Sequence, residues 1–331
     1  MPPNQREKTE AEKNLILATD LIKDCMLSCY EELVRSEGAE RVYSAINLYC
    51  VHGGYAASII LKERLGIRSS RPEDVAKVWS FMHNSFRRKP EVVIGPDYCI
   101  SFLRHCSHLS SGPEVCMLEC VAVARGVADS FGTDQDFDMT TSIADHDDRC
   151  TQIFKNRTMS SSKIMMEMDK ASAGDVSLGD VTEEEALSYY RAYLSEMWLW
   201  VVKTSNDLIG GERTLNLFKE KMYRLGMRWG SLLHRQLSDS RNRELGVAEL
   251  IDGINGLFQQ KGGEVVVMKS GSFKEIEVCP FSSALPEMCK IIEEFMNGVL
   301  TAVDANQQFR YQRMMNAGDA SCLWMLGQVR L

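Results

Sequence analysis

Positive charge is in short supply in this chain: 38 lysines and arginines stand against 46 aspartates and glutamates, a formal charge of −8. A surface that grips phosphate backbones wants a basic face, so general nucleic-acid binding is not expected. Long apolar runs are missing too. No stretch approaches the roughly 18 uncharged apolar residues that cross a bilayer, and the opening MPPNQREKTEAEK lacks the apolar core of a secretion signal. No Walker, dinucleotide-binding, HExxH or CxxC string occurs, which leaves nucleotide cofactors and zincin chemistry without support. What remains, 331 residues at 44% hydrophobic and 25% charged, is an ordinary globular composition with ample core. Cysteine is the exception, with eleven. Without a secretion signal these are expected as thiols or metal ligands rather than disulfides, in a reducing, cytoplasmic setting.

The cysteines recur. Cys279, Cys289 and Cys322 line up with Cys106, Cys116 and Cys150 at an offset of 172 or 173 residues. The surrounding strings agree: CSHLSSGPEVC (106–116) with CPFSSALPEMC (279–289), and HDDRC (146–150) with GDASC (318–322). Glu40-Arg41 pairs with Glu212-Arg213, Gly54 with Gly226, Leu65 with Leu237, and Glu91-Val92-Val93 with Glu264-Val265-Val266. Thr9 and Thr182 each precede a Glu by three residues, as in a helix capping box. The expectation is a tandem duplication of a domain-sized unit forming an intramolecular pseudo-dimer: a first repeat over 1–156, a linker over 157–181 rich in Ser, Gly, Asp and Lys and partly helical at 164–168, and a second repeat over 182–331.

Each repeat reads as the same order of elements. Three amphipathic helices (10–35, 40–65, 72–87; 183–209, 212–237, 247–260) precede two strands (91–94, 98–106; 264–268, 272–279). A helix then opens at Pro113 or Pro286, suited to the first helical position, and two strands close the unit (137–143, 149–154; 309–315, 321–326). The fold class expected is α+β, a helical layer on an antiparallel ββαββ sheet, made twice.

That order brings the recurring segments to one edge of each sheet. Candidate catalytic residues are Cys106, Cys116, His146, Asp147 and Cys150 in the first repeat, and Cys279, Cys289, Asp319 and Cys322 in the second. Cys106, Cys116, Cys150 and Asp147 are also candidate metal ligands. Cys116 and Cys289 fall in first helical turns, where backbone N–H groups and the helix dipole favour a thiolate. A thiolate there attacks an electrophilic carbon or binds a soft metal; packing competes, because unpaired cysteine is among the most buried residue types. Five of six histidines (His52, His83, His105, His108, His146) lie in the first repeat, which favours it for proton transfer. Trp198 and Trp200 read as core. The Asp145–Asp148 turn could hold a hard cation, although turns favour Asp for local hydrogen bonding alone.

The C-P-x(5)-P-E-x-C string (279–289) and the later G-D-x-x-C (318–322) resemble the L-2-amino-thiazoline-4-carboxylic acid hydrolase family and, more distantly, small-molecule-binding domains of the 4-vinyl reductase type. The second repeat carries the pattern with Pro280, Gly318 and Asp319. The first has Ser107 for the Pro and His146 for the Gly, and keeps Asp147. The resemblance implies a helical front on a sheet and hydrolytic opening of a cyclic C=N–C–S ring to a carbamoyl-cysteine product, with or without a divalent metal (zinc, manganese or iron). Metal-activated water and a cysteine nucleophile with a His or Asp base are both open to these residues. The expected partner is a small molecule, with no nucleic acid and no membrane, and a homo-oligomer is left open. The competing expectation is a non-catalytic ligand-binding or sensor-type protein whose cysteines serve a structural zinc or packing.

Overall fold

The chain is seen in a computed structural model that describes residues 9–85, 88–105, 117–168, 172–173, 182–268 and 271–328. It is α+β. In chain order, α1 (Glu10–Glu37), α2 (Ala39–Arg64) and α3 (Pro72–Ser85) precede β1 (Glu91–Ile94) and β2 (Tyr98–Leu103). A π-helical stretch (Met117–Ala122) runs into α4 (Val123–Phe131), followed by β3 (Gln135–Thr141), β4 (Cys150–Asn156), α5 (Ser161–Glu167) and β5 (Ser172–Ala173). The second half has α6 (Glu183–Ile209), α7 (Gly211–Ser240), α8 (Val247–Leu257), β6 (Lys261–Gly262), β7 (Val266–Met268), β8 (Gly271–Val278), α9 (Pro286–Val303), β9 (Gln307–Arg313) and β10 (Cys322–Gln328). The expected helices and strands occur in the expected order among these residues, with β5 and β6 in addition and α5 inside the expected linker. Among them, no helix is long and apolar enough to cross a membrane.

Local chemistry sets the helix ends. Thr9 and Glu12 form the expected capping box, each side chain accepting the other's backbone N–H, and Gly38 stops α1 at φ +85°. Pro286 opens α9 at its first position.

Contacts divide the chain into two compact units, residues 39–190 and residues 1–38 with 191–331. This division falls elsewhere than the expected 1–156 and 182–331. The reason is burial: Leu21, Ile22, Cys25, Cys29 and Leu33 of α1 are fully covered, and α1 packs on α7 and α8. The expected linker also has structure of its own. Ile164 of α5 packs with Tyr98, Ile100, Phe102 and Ile153, and β5 pairs with β1, so both belong to the 39–190 unit.

In the 39–190 unit the sheet order is β3-β4-β2-β1-β5, all pairs antiparallel. Side chains alternate faces along a strand. Tyr98, Ile100 and Phe102 meet α5, while Phe154 and Gln152 meet Trp79 of α3, its ring 5.2 Å from Phe154. Every residue of β2 is buried for that reason. In the other unit β6, β8, β10 and β9 lie in that order, with β7 also on β8, and β10 buries only Cys322, Trp324 and Leu326. Trp198 packs here against Phe258 and Phe281, each 5.9 Å away, as core.

In each unit the helix between the strand pairs crosses an earlier one at glycine. A Cβ on Gly54 would sit 2.1 Å from the Val123 carbonyl oxygen, and one on Gly126 1.9 Å from that of Val51. Gly226 meets the Phe295 carbonyl and Gly298 that of Tyr223 in the same way, each at 2.0 Å. No other residue admits backbones this close.

Candidate functional site

Three of the nominated cysteines meet in the unit formed by residues 1–38 and 191–331. Cys279 follows the end of β8 in a turn, Cys289 lies in the first turn of α9, and Cys322 begins β10. All three are buried and unbridged, Cys289 and Cys322 at 1% exposure and Cys279 at 6%. The pairing of β8 with β10 and the start of α9 above them bring the sulfurs together.

Hydrogen bonds decide which sulfur carries charge. Cys322 is within reach of both other thiols and also receives the Met315 backbone N–H at 3.2 Å. Three donors converging on one sulfur stabilise its anion. The Cys279 thiol first, then Cys289 and then the Met315 N–H hold Cys322 far below the usual thiol range, against the opposing effect of burial. Cys279 and Cys289 are pushed far up, each chiefly by its hydrogen bond to Cys322 and then by burial. The contacts therefore favour negative charge on Cys322, with Cys279 and Cys289 as its donors. The helix dipole alone would place the charge on Cys289; instead Cys289 is a donor, because direct hydrogen bonds on Cys322 outweigh a helix-end effect on a neighbour.

A polar shell holds the trio. Asn316 Nδ2 donates to Cys289 Sγ at 3.0 Å and to the Leu285 carbonyl at 2.9 Å, tying the β9–β10 turn to the start of α9. Gln260 Nε2 points to Cys279 Sγ at 3.6 Å, and Gln260 Oε1 accepts from the Tyr311 hydroxyl at 3.2 Å. Burial, and then the nearby Cys289, raises the Tyr311 phenol well above its ordinary range. These residues escaped the sequence reading because their counterparts at the repeat offset differ: Ala144 for Asn316, Arg88 for Gln260, Met139 for Tyr311. A search for polar residues on the same strands and turns, rather than for recurrence, would have found them.

Asp319 and His146 turn out to shape backbone. The Asp319 carboxylate accepts the Met314 N–H at 2.8 Å, and in the other half Asp147 accepts the Ser142 N–H at 2.8 Å. His146 has φ +70° where Gly318 has +100°, and His146, Asp147 and Asp319 are all exposed. These turns aim their first N–H at the cysteine beyond: Ile143 to Cys150 at 3.3 Å repeats the contact of Met315 to Cys322.

Cys106 and Cys116 lie outside the described residues. Of the expected metal set only Cys150 and Asp147 remain, both engaged by backbone N–H groups. Among the described residues no group of three or more His, Cys, Asp or Glu is arranged to hold a metal ion, and no step is routed through one.

The 39–190 unit carries a different buried polar group. Trp79 Nε1 and His83 Nε2 both lie 2.9 Å from Gln152 Oε1. That oxygen only accepts, so His83 carries its proton on Nε2 and leaves Nδ1 a bare acceptor. Burial, aided by Arg88 and opposed by the Gln152 contact, pushes His83 down to about 3. Ser101 is the register partner of Gln152. The Ser101 hydroxyl, Gln152 Nε2 and His83 Nδ1 are buried without a hydrogen-bond partner among the described residues.

A cavity of about 500 Å³ opens between α1 and α7, lined by Ile16, Leu17, Trp229 and Leu232 with Glu10, Asp20 and Asp239 at its polar side. Comparison with family models, with curated proteins and with solved structures yields no match.

Proposed function

We propose that the chain is a hydrolase of small cyclic C–N/C–S compounds of the amino-thiazoline-carboxylate class, with Cys322 as nucleophile and Cys279 and Cys289 as proton donors. One observation carries the reading: the Met315 N–H and two thiols converge on Cys322, and donors on a sulfur favour its anion, the form that attacks carbon, with acid partners beside it. The Cys322 thiolate adds to the ring carbon bonded to both nitrogen and sulfur. The ring C–S bond then breaks, and the departing sulfur takes a proton from Cys289 or Cys279. Water adds to the same carbon, displaces the Cys322 thiolate and returns a proton to the thiol that gave one. The product is an open-chain urea with a free thiol, formed at the cost of one water. Gln260 and Asn316 orient the two donor thiols.

The test is turnover of 2-amino-thiazoline-4-carboxylate by the purified full chain in reducing buffer, with the urea product followed by mass spectrometry. Cys322→Ser should lower the rate at least about a hundredfold, as expected for loss of a nucleophile, while Cys150→Ser leaves it within a few-fold. Undiminished turnover by Cys322→Ser would sink the reading.

We also propose that the two units descend from a tandem duplication and pair as a pseudo-dimer. Supporting this are the matched strand orders, the repeated N–H to sulfur contact and the two helix crossings whose four glycines recur at one offset. A cytoplasmic setting belongs to the proposal, since a thiol–thiolate trio needs reducing conditions. A non-catalytic ligand-binding role has its own support in the α1–α7 cavity, whose Trp229 ring and carboxylates suit a small aromatic or cationic molecule. In that case a Trp229→Ala variant loses ligand while Cys322→Ser keeps it.

A further inference from the structure

The trio has a chemistry that needs no organic substrate. The Cys322 sulfur receives the Met315 N–H at 3.2 Å and has the Cys279 and Cys289 thiols as its side-chain partners. The two neighbours are not equally free to move. Cys289 is fixed in α9 and tied by Asn316 to the Leu285 carbonyl. Cys279 lies beyond the end of β8 in a turn, outside any helix or strand, and is the most exposed of the three at 6%; Gln260 Nε2 at 3.6 Å and the Phe281 backbone N–H are among its contacts. Residues Ala317 to Ala320, one residue before Cys322 in the chain, form an exposed turn, the side of the trio nearest solvent along the chain.

We infer that Cys322 is a peroxide-reactive cysteine and Cys279 its resolving thiol, so that a hydroperoxide converts the trio to a Cys279–Cys322 disulfide. In the first step the Cys322 sulfur attacks one peroxide oxygen. The O–O bond breaks, Cys322 becomes a sulfenic acid, and hydroxide or alkoxide leaves and is protonated by water. In the second step the Cys279 sulfur attacks that of Cys322, an S–S bond forms, and water leaves with the Cys279 proton. Sulfur has lost two electrons and the peroxide has gained them. A dithiol reverses the linkage by exchange. The inference rests on the same convergence of Cys279, Cys289 and the Met315 N–H on Cys322 as the hydrolase reading, and not on any turnover of a ring substrate. Its consequence for that activity is reversible inactivation, since the nucleophile and one proton donor are consumed together.

The experiment uses the reduced full chain treated with hydrogen peroxide at a one-to-one ratio. Remaining thiols are then alkylated and the peptides mapped by mass. The expected result is a linked pair of peptides carrying Cys279 and Cys322, lighter by two hydrogens and separated by dithiothreitol. The link should form about tenfold or more faster than any loss of free thiol at Cys25, Cys29 or Cys99, which are equally buried and kept protonated by that burial. In Cys279→Ser the sulfenic acid at Cys322 should persist long enough for trapping by dimedone. Oxidation of Cys322 no faster than that of Cys99, or its passage to a sulfinic acid in the wild-type chain with no S–S link, overturns the inference. Turnover measured separately in reducing buffer tells failure of the hydrolase reading apart from failure of this one.

Discussion

At the scale of single residues, the position of a proton organises each polar site. His83 is the sharper case for stability. In the unfolded chain it titrates near its ordinary value of about 6.5, and in the fold burial pushes it down to about 3. Between those values the unfolded chain binds the proton and the folded chain refuses it. Stability is therefore complete above about pH 6.5 and falls as pH drops toward 3, by several kcal/mol for a buried group of this kind. We expect urea unfolding midpoints to drop from pH 7.5 to pH 5, and to drop less in His83→Asn, the residue found at the equivalent Asn255; equal slopes would contradict the assignment. The cysteine pairs were legible in the sequence, because three sulfurs recurring at one offset need no structure to be seen. Which of them is favoured to carry charge was not, because it depends on which sulfur the other two thiols and the Met315 N–H converge on.

At the scale of elements, the turns and crossings explain why some residues recur. Gly54, Gly126, Gly226 and Gly298 recur because a methyl group at any of them would strike a carbonyl of the crossing helix. Gly298→Ala should destabilise the protein by about 1–3 kcal/mol or more, because α7 and α9 must move apart. Gly256→Ala, an exposed position in α8 with open space beside its Cα, should gain up to about 1 kcal/mol from reduced chain entropy. Thermal unfolding of the two variants checks the pair, and a similar shift for both would refute the close-crossing account. Helix and strand order was readable from periodicity, Pro and Gly. The short strands β5 and β6 were missed because two residues carry no period, and only pairing with β1 and β8 defines them.

At the scale of the whole molecule, the first helix is the surprise. The second repeat cut at its own boundary, residues 182–331, lacks α1, whose Leu21, Ile22, Cys25, Cys29 and Leu33 fill the unit that holds the trio. Expressed alone it should expose that surface, bind a hydrophobic dye and unfold without a cooperative transition, and a peptide spanning 9–38 added in trans should restore cooperativity. A cooperative, dye-silent fragment would show that α1 is dispensable. The sequence by itself determined the element types, the α+β class, the capping box and the recurring cysteines, since these follow from side-chain period, backbone chemistry and repetition along the chain. Only tertiary structure decided which unit claims α1, that Asp147 and Asp319 close turns, and that Gln260, Asn316 and Tyr311 surround the sulfurs. Those outcomes depend on contacts between segments far apart in sequence, where burial and hydrogen-bond geometry select the partner and local pattern carries no trace of it.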